Sequence, residues 1–416
     1  MPNFVTLDPE PTLSAKLKVI GVGGGGCNAI ESMMKRGLTG VEYVAINTDA
    51  QVLETSHADH KIQIGTNLTK GLGAGADPNV GRKAIEEDRD KISKILEGSD
   101  MVFITAGMGG GTGTGAAPVV ASIAKSVGAL VIGIVTKPFK WEGKKRMLNA
   151  EEGINDMRQY VDSLIVIPNE RILSVLDDTA GAFKAFDKPN EVLYEATRGI
   201  ADIITVGGQI NVDFADVRSV MHESGEALMG CGIASGEHRA IEAAQKAISS
   251  PLLEGINIKG AKNILLNVTA SSNLTMKEIT DGNQVIYDAA GEEANIIFGL
   301  VEKEDMNEYV SYTVIATGFS SSKIFGGNQN KTQTKVSKSN NESIPSFPPF
   351  SKEEFQFNED TDYSIPTFKR VGMDINLPKK NEEKQENFNF ENRVSGFTND
   401  MDDEEDSSDF LRMMMD

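Results

Sequence analysis

Two cysteines, Cys27 and Cys231, are all that 416 residues supply. They exclude a disulfide framework and a thiolate cluster for a structural metal, and they fit a reducing compartment. Basic residues are outnumbered, 41 Lys and Arg against 61 Asp and Glu, for a formal net charge of −20. Such an excess of negative charge argues against binding a phosphate backbone, so nucleic acid is not an expected partner. No run approaches the roughly 20 apolar residues of a membrane span, and residues 1–11 carry prolines and acidic residues in place of a signal-peptide stretch. These lacks predict a cytoplasmic chain that is neither secreted nor inserted in a membrane. His57, His60, His222 and His238 form no ligand spacing, and no metal site is assigned.

Glycine, by contrast, is plentiful, and it is clustered. The stretch Ala106-Gly107-Met108-Gly109-Gly110-Gly111-Thr112-Gly113-Thr114-Gly115 follows the apolar run 101–104 and precedes the helical pattern 116–127. A strand that ends in glycines and opens a helix lets backbone N–H groups approach an anion, with no Cβ in the way and the positive end of the helix dipole directed at it. Thr112 and Thr114 add hydroxyl donors. A second cluster, Gly21-Val22-Gly23-Gly24-Gly25-Gly26, follows the short strand 18–20 and leads into a helix from Asn28. Its G-x-G-x-x-G spacing, with Asp49 about 20 residues on, fits a dinucleotide-binding turn, a weak signal when alone. Two such loops in one domain suggest a longer polyphosphate tail. An NAD-dependent oxidoreductase would explain the first loop and leave the second without a role.

From residue 16 to about 167, β-branched runs at 18–21, 43–47, 101–105, 130–136 and 163–168 alternate with helical stretches. This pattern predicts a Rossmann-like, doubly wound α/β domain on a parallel sheet. Residues 183–206 read as a long linking helix, although Pro189 complicates its first turns. Beyond 214, helices at 237–248 and 275–290 and strands at 264–269, 295–300 and 310–317 predict a smaller α/β domain on a mixed sheet. After Ser320 the composition turns to Asn, Ser, Lys, Glu and Gln without apolar periodicity, which predicts a disordered tail, basic through Lys338 and strongly acidic at 400–409. The division expected is 1–14, flexible; 15–182, nucleotide domain; 183–207, central helix; 208–318, second domain; 319–400, linker; and 401–416, an acidic terminal peptide.

Four segments, Gly21–Asn28, Gly107–Gly115, Trp141–Arg146 and Asn211-Val212-Asp213-Phe214-Ala215-Asp216, together resemble bacterial FtsZ, the family of tubulin-like division GTPases, over about residues 15–318. Taken singly, Asn211–Asp216 also suits a helix N-cap and Trp141–Arg146 a solvated basic helix start. The resemblance implies GTP or GDP as ligand, with Mg2+ accompanying GTP. It assigns Gly23, Gly24, Gly25, Asn28 and Gly107–Gly115 to the phosphates, with Asn47, Asp49 and the turn Gly73-Ala74-Gly75 nearby. It places Glu142 and Arg146 on ribose and phosphate, Asn169, Asn190 and Glu191 on the guanine side, and Phe186 against the base. The family often has Asp where Glu191 stands. The nucleotide loops lack an evident base to activate water. In the family that need is met by the neighbouring subunit, so Asp213 and Asp216 would polarise the attacking water and Asn211 would orient it. Head-to-tail contacts of that kind do not close and give filaments, here expected to form a division ring at mid-cell. A tubulin-like protein of plasmid or cell-shape function is the related alternative.

The family docks membrane tethers and regulators through a terminal peptide with an Ile-Pro-x-Phe-Leu-Arg-like core. Here the terminus keeps Phe410-Leu411-Arg412 without the proline, and Ile365-Pro366-Thr367-Phe368 looks closer to that core. Either segment is expected to dock such partners. The tail's spaced phenylalanines, from Phe347 to Phe410, are expected to act as weak association points between filaments. Cys27 reads as either a reactive thiol near a helix N-terminus or a small residue in a tight loop.

Overall fold

The computed structural model describes residues 15–173, 181–206, 212–253 and 258–319. Asn211 and both tail segments lie outside the described residues. Ten strands are present: β1 Leu17–Val22, β2 Glu42–Asn47, β3 His60–Gln63, β4 Met101–Gly107, β5 Leu130–Lys137, β6 Ser163–Pro168, β7 Gly225–Ser235, β8 Asn263–Ala270, β9 Asn295–Glu302 and β10 Tyr309–Thr317. The helices in the first half are α1 Gly23–Lys35, α2 Ala50–Thr55, α3 Thr66–Thr69, α4 Pro78–Glu87, α5 Arg89–Leu96, α6 Thr112–Ser126, α7 Lys144–Met157 and α8 Asn169–Leu173. Then follow α9 Ala182–Thr205, α10 Phe214–Met221, α11 Arg239–Ile248 and α12 Met276–Ala290.

The strands form one sheet in the order β3-β2-β1-β4-β5-β6-β7-β10-β8-β9. From β3 to β6 every pairing is parallel, in the doubly wound order. That order reverses direction between β1 and β4, so the crevice at their carboxyl ends is the natural ligand position. Beyond β6 the sheet is mixed: β7 joins β6 by a short parallel stretch, β10 runs antiparallel to β7 and β8, and β9 runs parallel to β8.

The alternation of side chains along each strand builds two cores. Val19 and Phe103 face Ile30 and Met33 of α1 and Ile200 and Ile203 of α9, whereas Ile20 and Ile104 face Ile85 of α4 and Val120 and Ile123 of α6. A third core packs α11 and α12 on the second half of the sheet through Ala243, Ala247, Ile286, Val268 and Val314.

The five strands read from the first half of the sequence are present with ends shifted by at most two residues, and α9 continues through Pro189. Two strands were not legible. β3 is a four-residue edge strand whose His60 and Lys61 are exposed. β7 contains three glycines, which ordinarily weaken a strand. Here they let α11 lie directly on it: a Cβ at Gly230 would sit 2.1 Å from the Ala247 carbonyl oxygen, and one at Gly232 would sit 2.1 Å from that of Ala243. Among the described residues no helix is long and apolar enough to cross a membrane.

Candidate functional site

At the switch point two helices begin without a side-chain cap. α1 starts directly after β1 with Val22 at its N-cap, and α6 starts after the β4 loop with Gly111 at its N-cap. Uncapped N-termini leave backbone N–H donors for a ligand, and the two dipoles favour an anion there. β1 and β4 are direct neighbours, so both termini open on one crevice.

A cavity of about 640 Å³ occupies that crevice. Gly24, Gly25 and Asn28 line it from α1, and Gly107, Met108, Gly110 and Gly113 line it from the second loop. The other wall carries Glu142, Arg146, Asn169, Phe186 and Asn190. The remaining glycines shape the loops from beneath. Gly23 is left-handed, at φ 71°, and Gly109 stands at φ 108°. A Cβ on Gly111 would come 2.8 Å from that of Ala74, and one on Gly115 would come 2.0 Å from the Pro78 carbonyl oxygen. The turn Gly73-Ala74-Gly75 thus abuts the second loop, with left-handed backbone at Gly73, Gly75 and Ala76.

The loop threonines make contacts within the protein. Thr112 Oγ1 lies 2.7 Å from Thr48 Oγ1, and Thr114 Oγ1 accepts from the Gly109 amide at 2.8 Å. Both hydroxyls are buried and brace the loop.

Asn47 is wholly buried beneath the site; its Oδ1 accepts from the Asp49 amide at 3.2 Å, and its Nδ2 has no partner. Asn169 Oδ1 on the cavity wall likewise has none. The Asn169 amide, an orphan on the cavity wall, fits a polar ligand that completes it. Asp49 is not among the lining residues; its carboxylate caps α2, accepting from the Gln51 amide at 2.9 Å.

The wall opposite the glycine loops is aromatic. Phe139 stacks on Trp141 with ring centroids 5.3 Å apart, and Phe186 meets both edge-on at 6.2 Å. Glu142 holds this turn, accepting from the Phe139 amide at 2.7 Å and pairing with Arg146 at 3.2 Å. Phe139 was not singled out from sequence, although Pro138-Phe139, separated from Trp141 by Lys140 alone, is a usable signal.

Glu191 is placed elsewhere. Its carboxylate pairs with Lys188 at 2.7 Å and Arg36 at 3.9 Å, and it lines a second cavity of about 520 Å³. The carboxylate on the first cavity's side of α9 is Asp187, 3.1 Å from Arg36. Residues 187 and 191 are four apart and stand one above the other on α9, so both reach Arg36, and Asp187 is the one that lines the first cavity.

Asp213 and Asp216 stand at the start of α10, both exposed and neither lining the cavity. Asp213 is the N-cap, accepting from the Asp216 amide at 2.8 Å. Cys27 is buried, and burial pushes its thiol up to about 12, which favours the small-residue reading over the reactive-thiol one.

Residues 16–177 match the Tubulin/FtsZ family, GTPase domain, and residues 225–320 match the FtsZ family, C-terminal domain. An FtsZ dimer structure from M. jannaschii is 44% identical, covering 74% of this chain and 89% of that chain with a TM-score of 0.71. The chain belongs to the FtsZ family. A second M. jannaschii FtsZ structure, a tryptophan-to-tyrosine mutant, gives 44% identity, coverage of 74% and 92%, and a TM-score of 0.70. CetZ2 from Haloferax volcanii, at 20% identity, coverage of 72% and 92%, and a TM-score of 0.62, shares the fold. Membership makes the first half of this chain an FtsZ-type GTPase domain, with GTP and GDP as the ligands of its kind and self-association as a family property.

Proposed function

We propose that the chain binds GTP in the 640 Å³ cavity and assembles head to tail, and that hydrolysis occurs where one subunit's Asn211, Asp213 and Asp216 meet the next subunit's nucleotide. The observation that carries this reading is the separation of binding from chemistry. Two uncapped helix N-termini share one cavity, while Asp213 and Asp216 are exposed on a different element.

In this reading the loop amides and Arg146 hold the phosphates, Phe139 and Phe186 flank the base, and Asn169, Asp187 and Asn190 face its polar edge. The glycine loops contribute no carboxylate, so Mg2+ would arrive on the phosphates and be held chiefly by them. Asp213 and Asp216 from the neighbour orient and polarise a water that attacks the γ-phosphorus. The bond to the β–γ bridging oxygen breaks, and GDP and inorganic phosphate leave. Phosphoryl transfer depends mostly on positioning and charge, so a site divided between subunits makes turnover conditional on assembly. The M. jannaschii FtsZ relative is a dimer, which supports self-association here. The physiological structure proposed is the cytoplasmic division ring at mid-cell, with tethers and regulators docking on the terminal peptide or on Ile365–Phe368.

Asp213→Asn and Asp216→Asn test it. Each variant should bind GTP and sediment as filaments like the parent while phosphate release falls about 100-fold, the scale of losing a positioned transition-state group. Unchanged release in both would contradict the reading.

A further inference from the structure

Asp162, at the edge of β6, is among the few carboxylates buried in the first half of the molecule, at 2% exposure. Its Oδ2 accepts from the Val131 amide at 2.9 Å, tying β5 to β6. Its Oδ1 has no hydrogen-bond partner and makes a close polar contact, at 2.9 Å, with Nδ1 of His222. His222 is the C-cap of α10, the eight-residue helix whose N-cap is Asp213 and whose first turn carries Asp216.

The chain just past α10 is fastened at the same point. The Gly225 amide donates to the Asp162 carbonyl at 3.0 Å, Glu226 pairs with Arg158 at 3.2 Å, and Glu223 is left-handed at φ 48°. From the other side Thr317 of β10 donates to the Val220 carbonyl at 3.1 Å. The chain is therefore fastened at the C-terminal end of the helix, while Val212 and Val217 pack its N-terminal turn into the core and leave Asp213 and Asp216 exposed. His222 is 52% exposed, so its role is polar and not that of core packing.

We propose that His222 is a positioning residue for GTP hydrolysis, its contact with Asp162 fixing the far end of the helix that presents Asp213 and Asp216 to the neighbouring nucleotide. The inference rests on the role given above to those two aspartates. The lever is simple. A helix of this length spans about 12 Å, so a tilt of about 5° at His222 displaces the acidic end by about 1 Å. Misplacement on that scale is enough to slow a positioned reaction by one to two orders of magnitude.

The test uses the full chain above its assembly threshold and compares His222→Ala, His222→Asn and Asp216→Asn by phosphate release against GTP concentration, sedimentation and thermal melting. His222→Ala should lower kcat about tenfold while KM for GTP, the sedimented fraction and the melting temperature stay near the parent values. His222→Asn should recover most of the rate, because Asn Nδ2 stands where Nδ1 stood and can donate to Asp162. A parental kcat in His222→Ala, or no difference between the Ala and Asn variants, overturns the proposal. Asp216→Asn separates the failures: full turnover in that variant overturns the divided site beneath the proposal, whereas loss there with none in His222→Ala overturns the proposal alone.

Discussion

A Cβ placed on Gly23 would lie 2.6 Å from the amide nitrogen of Gly113. The two glycine loops are thus in contact at the floor of the site, and the cavity above them is shared between α1 and α6 because neither loop has a side chain there. Gly23→Ala should push the loops apart and place alanine in a left-handed conformation costing about 1 kcal/mol. GTP affinity should fall at least tenfold by equilibrium binding, with a small loss of thermal stability.

Trp141 is the single tryptophan and stacks on Phe139, which lines the cavity. Its emission should change on adding GTP or GDP and stay constant with NADH. Phe186→Ala should weaken GTP binding about fivefold, in keeping with an aromatic pair worth about 1 kcal/mol, and should shrink the emission change.

In the second half of the chain, Arg239 donates to Glu278 at 2.7 Å and to the carbonyls of Glu308 and Asn273. The hydrogen bond from Arg239 holds the Glu278 carboxyl down at about 2, from an ordinary 4.5. A carboxyl depressed in the folded state stabilises it above the unfolded value, and that contribution disappears as pH falls from about 4.5 to about 2. Glu278→Gln should cost about 2 kcal/mol at pH 7 by chemical denaturation. It should also flatten the loss of stability across that acid interval.

The glycine-loop end of the cavity was legible because it depends on backbone. Gly107–Gly115 must be glycine where β4, α1 and α4 crowd it, and glycine clusters between a strand and a helix show in any sequence. The base end depends on which face of α9 turns inward. Phe186, Asn190 and Glu191 were read from the sequence, whereas Asp187, one turn before Glu191, emerges as a lining carboxylate only in the folded helix. β7 escaped notice because its glycines serve the packing of α11, a tertiary cause that local propensity does not register. Asp162 and His222 are 60 residues apart and meet only through the β6–β7 pairing.

The central claim is that one chain binds the nucleotide and its neighbour completes the chemistry. The most direct measurement is phosphate release from GTP as a function of protein concentration, with each sample also sedimented. The account predicts negligible release below a threshold and a linear rise above it, with the threshold matching the onset of sedimentation. A rate per chain that stays constant down to the most dilute sample would show that each chain carries its own catalytic groups, and would contradict the account.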